Sequence, residues 1–192
     1  MNATLRILLI LWLFLPAGVS CTLYPDRPEP PALHDFGPFR PAVAAFPWAR
    51  AEVTAPDWLQ DPRLHYRLLY AQSTEVRAYR RDSWVAPPAI LLAQRLNGGQ
   101  RGGGYRLNIE LQNFEQIFDQ PGRSRVVLAF LATVEREDRR GALAERDFHF
   151  VLPAPSADAR GALLTYPRLI DQTEDALREW VRTLRLPAIA GG

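Results

Sequence analysis

The sequence predicts a single mixed α/β domain in which two main helices pack on one sheet of five or six strands. Three segments carry this prediction. Residues 105–111 alternate apolar and polar side chains, as a half-buried strand does, and residues 126–134 form a nearly continuous apolar run. Between positions 169 and 184 the apolar residues recur at helical spacing, which indicates a long amphipathic helix.

Two further strands and the first main helix are predicted in the first half of the domain. Residues 48–55 suit a strand, and residues 64–70 are expected to form a hairpin with the alternating residues near 76–78. Asp82 or Ser83 is expected to cap the helix that follows, because two prolines suit its first turn and a glycine-rich segment ends it.

The second half of the domain is predicted to contain a second hairpin and the last helix. Residues 114–118 form an apolar cluster before a Pro-Gly turn. Residues 148–152 alternate, so this segment is expected to form a hairpin with the apolar run 126–134 across a long loop. Pro167 is expected to start or kink the last helix. Its charges, including the Glu174–Arg178 pair four residues apart, are expected on the face opposite the apolar residues.

The N-terminus is typical of an exported protein. Arg6 precedes the apolar run 7–15, which is too short to cross a bilayer, and small residues follow, so residues 1–20 are predicted to be a signal peptide. Cys21 is the only cysteine in the chain and stands at the end of this signal. The arrangement resembles the bacterial lipobox, in which the thiol receives a diacylglycerol; the alternative is cleavage nearby, which leaves a free thiol.

The rest of the chain divides into three parts. Residues 21–41 are rich in proline and are predicted to be an extended tether, which ends in a short strand near residues 33–36. Residues 42–186 are predicted to form the folded domain, and residues 187–192 a flexible tail.

Composition and motifs argue against several kinds of function. The net charge is only +2 and the charges are interspersed, so no nucleic-acid surface is predicted. The three histidines are far apart and have no recognisable metal-ligand spacing. The glycine-rich run 98–104 follows a helix, whereas phosphate loops precede one. We therefore predict no cofactor, no metal ion and no catalytic residues.

Two tryptophans beside prolines are candidates for partner binding. Trp58 follows Pro56, and Trp84 precedes Pro87 and Pro88. Large aromatic side chains at such positions either close the edge of a core or anchor an interface, and the sequence leaves both interpretations open.

Residues 33–184 contain an ordered set of motifs: HDFG at 34–37, APDWL at 55–59, LHYR at 64–67, YRRDSWVAPP at 79–88, FEQIFD at 114–119, RDFHF at 146–150 and the helix of Trp180. This ordered set resembles the ABC-type transport auxiliary lipoprotein family, the PqiC-like lipoproteins.

The resemblance implies a non-enzymatic accessory component of a lipid transport system that contains an MCE-domain protein. Its partners would be that MCE-domain protein and the membrane, which it would contact through a lipid on Cys21. Thr22 in place of Asp favours the outer membrane of a Gram-negative cell, with the domain facing the periplasm. An alternative is a lipoprotein that itself binds a lipid or small hydrophobic ligand, which requires an apolar cavity. Homo-oligomerisation is also left open.

Overall fold

A computed structural model describes residues 29–38, 46–99, 102–138 and 141–186 of the chain. The predicted signal peptide, Cys21, most of the tether and the C-terminal tail lie outside the described residues. Residues 32–36, which were assigned to the tether, belong to the fold. Phe36 is buried and its ring packs 5.4 Å from that of Trp84, so the predicted domain boundary at residue 42 is too late.

The predicted fold class is confirmed: the described residues form one mixed α/β domain with two helices packed on an open sheet. The sheet contains seven strands rather than five or six, because a short strand near the N-terminus joins it. The strands are β1 (Ala32–His34), β2 (Arg50–Thr54), β3 (Arg63–Leu68), β4 (Arg77–Trp84), β5 (Tyr105–Gln120), β6 (Arg123–Arg136) and β7 (Ala142–Pro153). The helices are α1 (Pro88–Asn97) and α2 (Ala159–Thr183), and a 3-10 turn spans Asp57–Leu59.

The long strand β5 organises the sheet. The strand order is β1-β4-β3-β5-β6-β7, and β2 pairs with β5 outside this order. On one side β5 pairs antiparallel with β6 along nearly its whole length. On the other side β2 runs parallel to residues 106–110 and β3 runs parallel to residues 116–118. Two short strands therefore share one edge of β5.

A bulge explains why β5 is one strand where the sequence suggested a strand and a separate apolar cluster. Leu111 pairs with Phe130 and Asn113 with Ala129, which leaves Gln112 as an extra residue. The extra residue reverses the alternation. Up to Leu111 the odd-numbered residues face the core. Beyond the bulge the core-facing positions are even-numbered, beginning with Phe114. The cluster 114–118 is thus the continuation of the same strand.

Helix α1 begins later than predicted. Asp82 and Ser83 lie in β4, which pairs antiparallel with β3, so neither residue caps the helix, and Pro87 holds the N-cap position. At the other end, the side chain of Asn97 donates to the carbonyl of Ala51 at 2.8 Å and accepts from its N–H at 3.0 Å. This pair of bonds attaches α1 to β2.

Helix α2 begins at Ala159, eight residues before Pro167, so Pro167 lies inside the helix and does not start it. The alternative, that Pro167 kinks the helix, stays a prediction. Asp158 is the N-cap, and its carboxylate accepts from the N–H of Gly161 at 2.7 Å. A Cβ at Gly161 would lie 2.0 Å from the carbonyl oxygen of Ser156, so only glycine fits this close approach. The apolar stripe of α2 is buried as its periodicity predicts.

Strand β6 is buried on both faces only over residues 126–128, and further along every second residue is partly exposed. The prediction of a strand buried on both faces therefore holds only near one end. The helices cover one face of the sheet, since residues of both helices and the inward-facing residues of β5 and β6 share one apolar cluster.

Glu174 and Arg178 do not face water, in contrast to the prediction. Both are buried, and the carboxylate of Glu174 accepts from Nε of Arg95 on α1 at 2.5 Å. Arg95 also donates to Asp171 at 2.8 Å and to the carbonyl of Pro38 at 3.1 Å. Burial raises the pKa of Glu174, and the hydrogen bond from Arg95 opposes this rise. Buried charges hold α1, α2 and residue 38 together.

We predict that removing one member of this network is much more costly than removing the pair. Glu174→Leu leaves Arg95 buried without its closest partner and should lower the free energy of unfolding by about 3–5 kcal/mol. Arg95→Met with Glu174→Leu should recover at least half of that loss, since two apolar side chains of similar volume then meet. Urea titration followed by tryptophan fluorescence measures both. Additive losses in the double variant would contradict this account.

Candidate partner-binding surface

The described residues contain no group of three or more His, Cys, Asp or Glu side chains placed to hold a metal ion. The three histidines lie on three different strands, β1, β3 and β7. His34 pairs with Asp82 at 3.0 Å, His65 is buried in β3, and His149 is exposed on β7. No helix within the described ranges is long and apolar enough to cross a membrane.

Trp84 is not available to a partner. Its side chain is 1% exposed and packs among the rings of Phe36, Phe114 and Tyr166, at centroid distances of 5.0–5.7 Å. The interpretation of Trp84 as an interface anchor is therefore wrong, and the alternative interpretation as a core residue holds. The proline-adjacent position could not separate the two, because it gives no information on which face of β4 the ring occupies.

Trp58 lies at the surface, on the 3-10 turn in the connection from β2 to β3. It is partly buried, and its ring centroid is 5.7 Å from that of His65. Two contacts fix the turn around Trp58. Leu59 is fully buried, and the side-chain amide of Gln60 donates to the backbone carbonyl of Ala55 at 3.0 Å. Trp58 is therefore held in place before any partner binds.

Trp58 packs against the edge of the core cluster and also lies beside His65, which is on the face of the sheet opposite the helices. Leu64 belongs to the core cluster, and Gln116 donates to the carbonyl of Asp158 at the start of α2. Because neighbouring residues of a strand point to opposite faces, His65 and Glu115 point away from the helices. The register of β3 and β5 places these two side by side.

A cluster of polar side chains lies beneath and beside Trp58 on this face. Glu115 is almost fully buried and accepts from Nε of Arg67 at 3.2 Å and from the amide of Asn113 at 3.0 Å. Arg67 in turn donates to the carbonyl of Ser73 at 2.9 Å, which fixes the loop after β3. We call Trp58, His65, Arg67, Asn113 and Glu115 the Trp58 surface.

Two atoms of the Trp58 surface are buried without a hydrogen-bond partner in the described protein. They are Nδ1 of His65 and Oδ1 of Asn113. Leaving such groups unpaired costs free energy. Sequence reasoning found Trp58 but missed the polar residues, because the bulge in β5 decides that Asn113 and Glu115 share a face with His65.

The environment shifts the pKa of two groups here. Burial lowers the pKa of His65, although the nearby Asp61 carboxylate acts in the opposite direction. Partial burial acts to raise the pKa of Asp61, but hydrogen bonds from the side chain and backbone of Arg63 outweigh it and lower the pKa. The His65 ring is thus kept neutral at a pH where an exposed histidine begins to take up a proton.

A second surface feature is a cleft of about 350 Å³ between α1 and the segment after β1. Phe36, Leu91 and Arg95 line it together with neighbouring polar and glycine residues. The core between α2 and the sheet is filled by stacked rings, such as Phe114 on Tyr166 at 4.6 Å. The cleft therefore lies at the surface and does not extend between α2 and the sheet.

We predict that His65 contributes to acid sensitivity. Its folded-state pKa is lowered from about 6.5, so below that pH the unfolded chain binds more protons and the free energy of unfolding falls as the pH drops. His65→Phe keeps an aromatic ring beside Trp58 but removes the titration. Between pH 7 and pH 5 the variant should lose less stability than the wild type in urea titrations. Equal losses in the two proteins would contradict this.

Comparison of the chain with protein-family models gives no match, and comparison with curated proteins gives none either. Solved structures do match. A Xanthomonas campestris protein of the family DUF330 is similar with a TM-score of 0.63 and 16% sequence identity, over 81% of this chain and 94% of that chain. A second crystal structure, of an uncharacterized protein, matches with a TM-score of 0.60 and 16% identity over 80% and 99% of the two chains. The chain therefore has the fold of these two proteins over most of its length.

Proposed function

We propose that this chain is a lipid-anchored docking protein of the bacterial cell envelope, an accessory component of an MCE/ABC-type lipid transport system that performs no catalysis itself. A lipid on Cys21 would hold it at the outer membrane, and the domain would face the periplasm. The tether would let the domain reach a partner, the MCE-domain protein of the transporter.

The observation that carries this proposal is the agreement of fold with motif order. The chain shares its fold with a DUF330 protein, and DUF330 is the PqiC-like family that its sequence motifs resemble. The motifs and the fold cover the same part of the chain, from the first strand to the last helix.

The Trp58 surface is the part of the domain we propose to contact the partner. The ring is fixed by its turn, so ordering it on binding costs little further conformational entropy. Trp58 is large and partly exposed, and its ring lies 5.7 Å from that of His65, so it has the size and position of an interface anchor.

The alternative function, direct binding of a lipid, has one observation in its favour. The cleft beside Phe36 has the volume of a small-molecule site. Packed aromatic rings fill the core between α2 and the sheet, so an acyl chain would have to lie in a surface cleft such as this one. Native mass spectrometry with added phospholipid distinguishes the two functions, since docking alone requires no bound lipid.

The anchor is tested by Cys21→Ser. The wild-type protein should partition into detergent, and the variant should appear either as a water-soluble periplasmic protein or as a precursor that retains its signal. Phase separation in detergent, with mass spectrometry of the N-terminus, measures this. A correctly cleaved Cys21→Ser protein that still enters the detergent phase would show that the anchor is not on this residue.

Docking is tested by Trp58→Ala. Truncation of an anchor residue commonly costs 2 kcal/mol or more, so affinity for the purified MCE-domain protein should fall by about 30-fold or more. Leu164→Ala, which removes an exposed side chain on α2, is the control and should bind as the wild type does. Circular dichroism establishes that both variants are folded at the assay temperature. Unchanged affinity of Trp58→Ala would exclude this surface, and a wild type that binds no MCE-domain protein would exclude the proposed function.

A further inference from the structure

The outer edge of β7 is a long strand edge with no partner among the described residues. β7 contains 12 residues and is the last strand in the sheet order. Most of its residues are exposed, including Leu143 and Val151. Natural proteins usually shorten, bend or cover such an edge because its free N–H and C=O groups can pair with another strand. This edge keeps its regular register with β6 from Ala144 to Pro153.

The pairing with β6 determines which residues present free backbone groups. The N–H of Ala154 donates to the carbonyl of Ser124, the residue opposite it in the antiparallel register. In such a ladder every second pair is hydrogen-bonded. The even-numbered residues of β7 therefore bond to β6. Glu145, Asp147, His149 and Val151 direct their N–H and C=O groups outward.

One antiparallel register of β7 with a second β7 uses all of these groups. If Phe148 lies on the two-fold axis, Asp147 is opposite His149 of the second copy and Glu145 is opposite its Val151, so the four outward-pointing residues pair with one another. An imidazole N–H can donate to a carboxylate at each of the two Asp147–His149 positions.

The neighbouring registers are less favourable. With Asp147 on the axis, two carboxylates of the same residue are opposite each other, and with Arg146 on the axis Glu145 is opposite Asp147. Like charges directly opposite destabilise a strand pair. With His149 on the axis, Asp147 is opposite Val151 and Glu145 is opposite Pro153, so neither carboxylate has a complementary side chain. Pro153 has no N–H to donate, and with Phe148 on the axis it is opposite only Leu143, near the end of the strand. The charges of β7 thus select one register.

The other face of β7 supports the same register. Phe148 stacks on Phe130 at 5.1 Å, and Arg146 lies over the Phe148 ring at 5.0 Å. On the axis, Phe148 would be opposite Phe148 of the second copy, and the row of rings would continue across the interface. Arg146 would be opposite Phe150, where its guanidinium can lie against another ring.

We propose that two copies of this chain associate through β7, antiparallel, with Phe148 on the two-fold axis. The interface is isologous, so it closes as a dimer and does not extend into a fibre. It leaves the Trp58 surface, which lies on the β3 side of β5, outside the contact. The inference does not depend on the proposed function.

The oligomeric state of the full chain tests this proposal. Sedimentation equilibrium in a density-matched detergent, with micelles in large excess over protein, should show a concentration-dependent dimer. His149→Asp places two carboxylate pairs opposite each other and should raise the dimer dissociation constant at least tenfold. Asp147→His combined with His149→Asp should restore the dimer, because the complementary pairs are re-formed. Gln72→Asp makes a similar change of charge on an exposed loop and should leave the dimer unchanged.

Hydrogen exchange gives a second measurement that needs no variant. On dimerisation the amides of Glu145, Asp147, His149 and Val151 should become slow, while those of Arg146, Phe148 and Phe150 are already bonded to β6 and should change little. A chain that is monomeric at all concentrations would overturn the proposal. So would a dimer that tolerates His149→Asp, or one that leaves the outward-pointing amides unprotected.

Discussion

The fold depends on how one edge of β5 obtains its hydrogen bonds. β5 has 16 residues, and no other strand on that side is long enough to pair with all of it. β2 pairs with its first half and β3 with part of its second half. Backbone N–H and C=O groups in a buried strand must be satisfied, so both short strands are needed. The chain must then pass from β2 to β3 along the same edge.

This passage creates the Trp58 surface. The connection between the two strands contains the 3-10 turn, and its Leu59 is buried while Trp58 lies over His65. The bulge after Leu111 lies in the part of β5 between the two pairings. Beyond the bulge, Glu115 and Asn113 join His65 on the face away from the helices. The same constraint that completes the sheet therefore positions a fixed aromatic ring over buried polar groups.

Local patterns predicted much of the fold. Alternation identified residues 105–111, and helical periodicity identified the buried stripe of α2, because both depend only on neighbouring residues. The start of α2 was missed because Asp158, a good N-cap, stands nine residues before a proline that also signals a helix start. The burial of Glu174 depends on Arg95, which is 79 residues away in the chain. No local pattern contains that contact, and none reveals the bulge that completes the Trp58 surface.

We propose that the connection from β2 to β3 presents Trp58 to an envelope partner. The most direct measurement is photo-crosslinking in cells with a benzophenone amino acid placed at position 58, and, for comparison, at position 164 on the exposed side of α2. We expect a crosslink from position 58 to an MCE-domain protein and none from position 164. Crosslinks to that partner from position 164 and not from position 58 would contradict it.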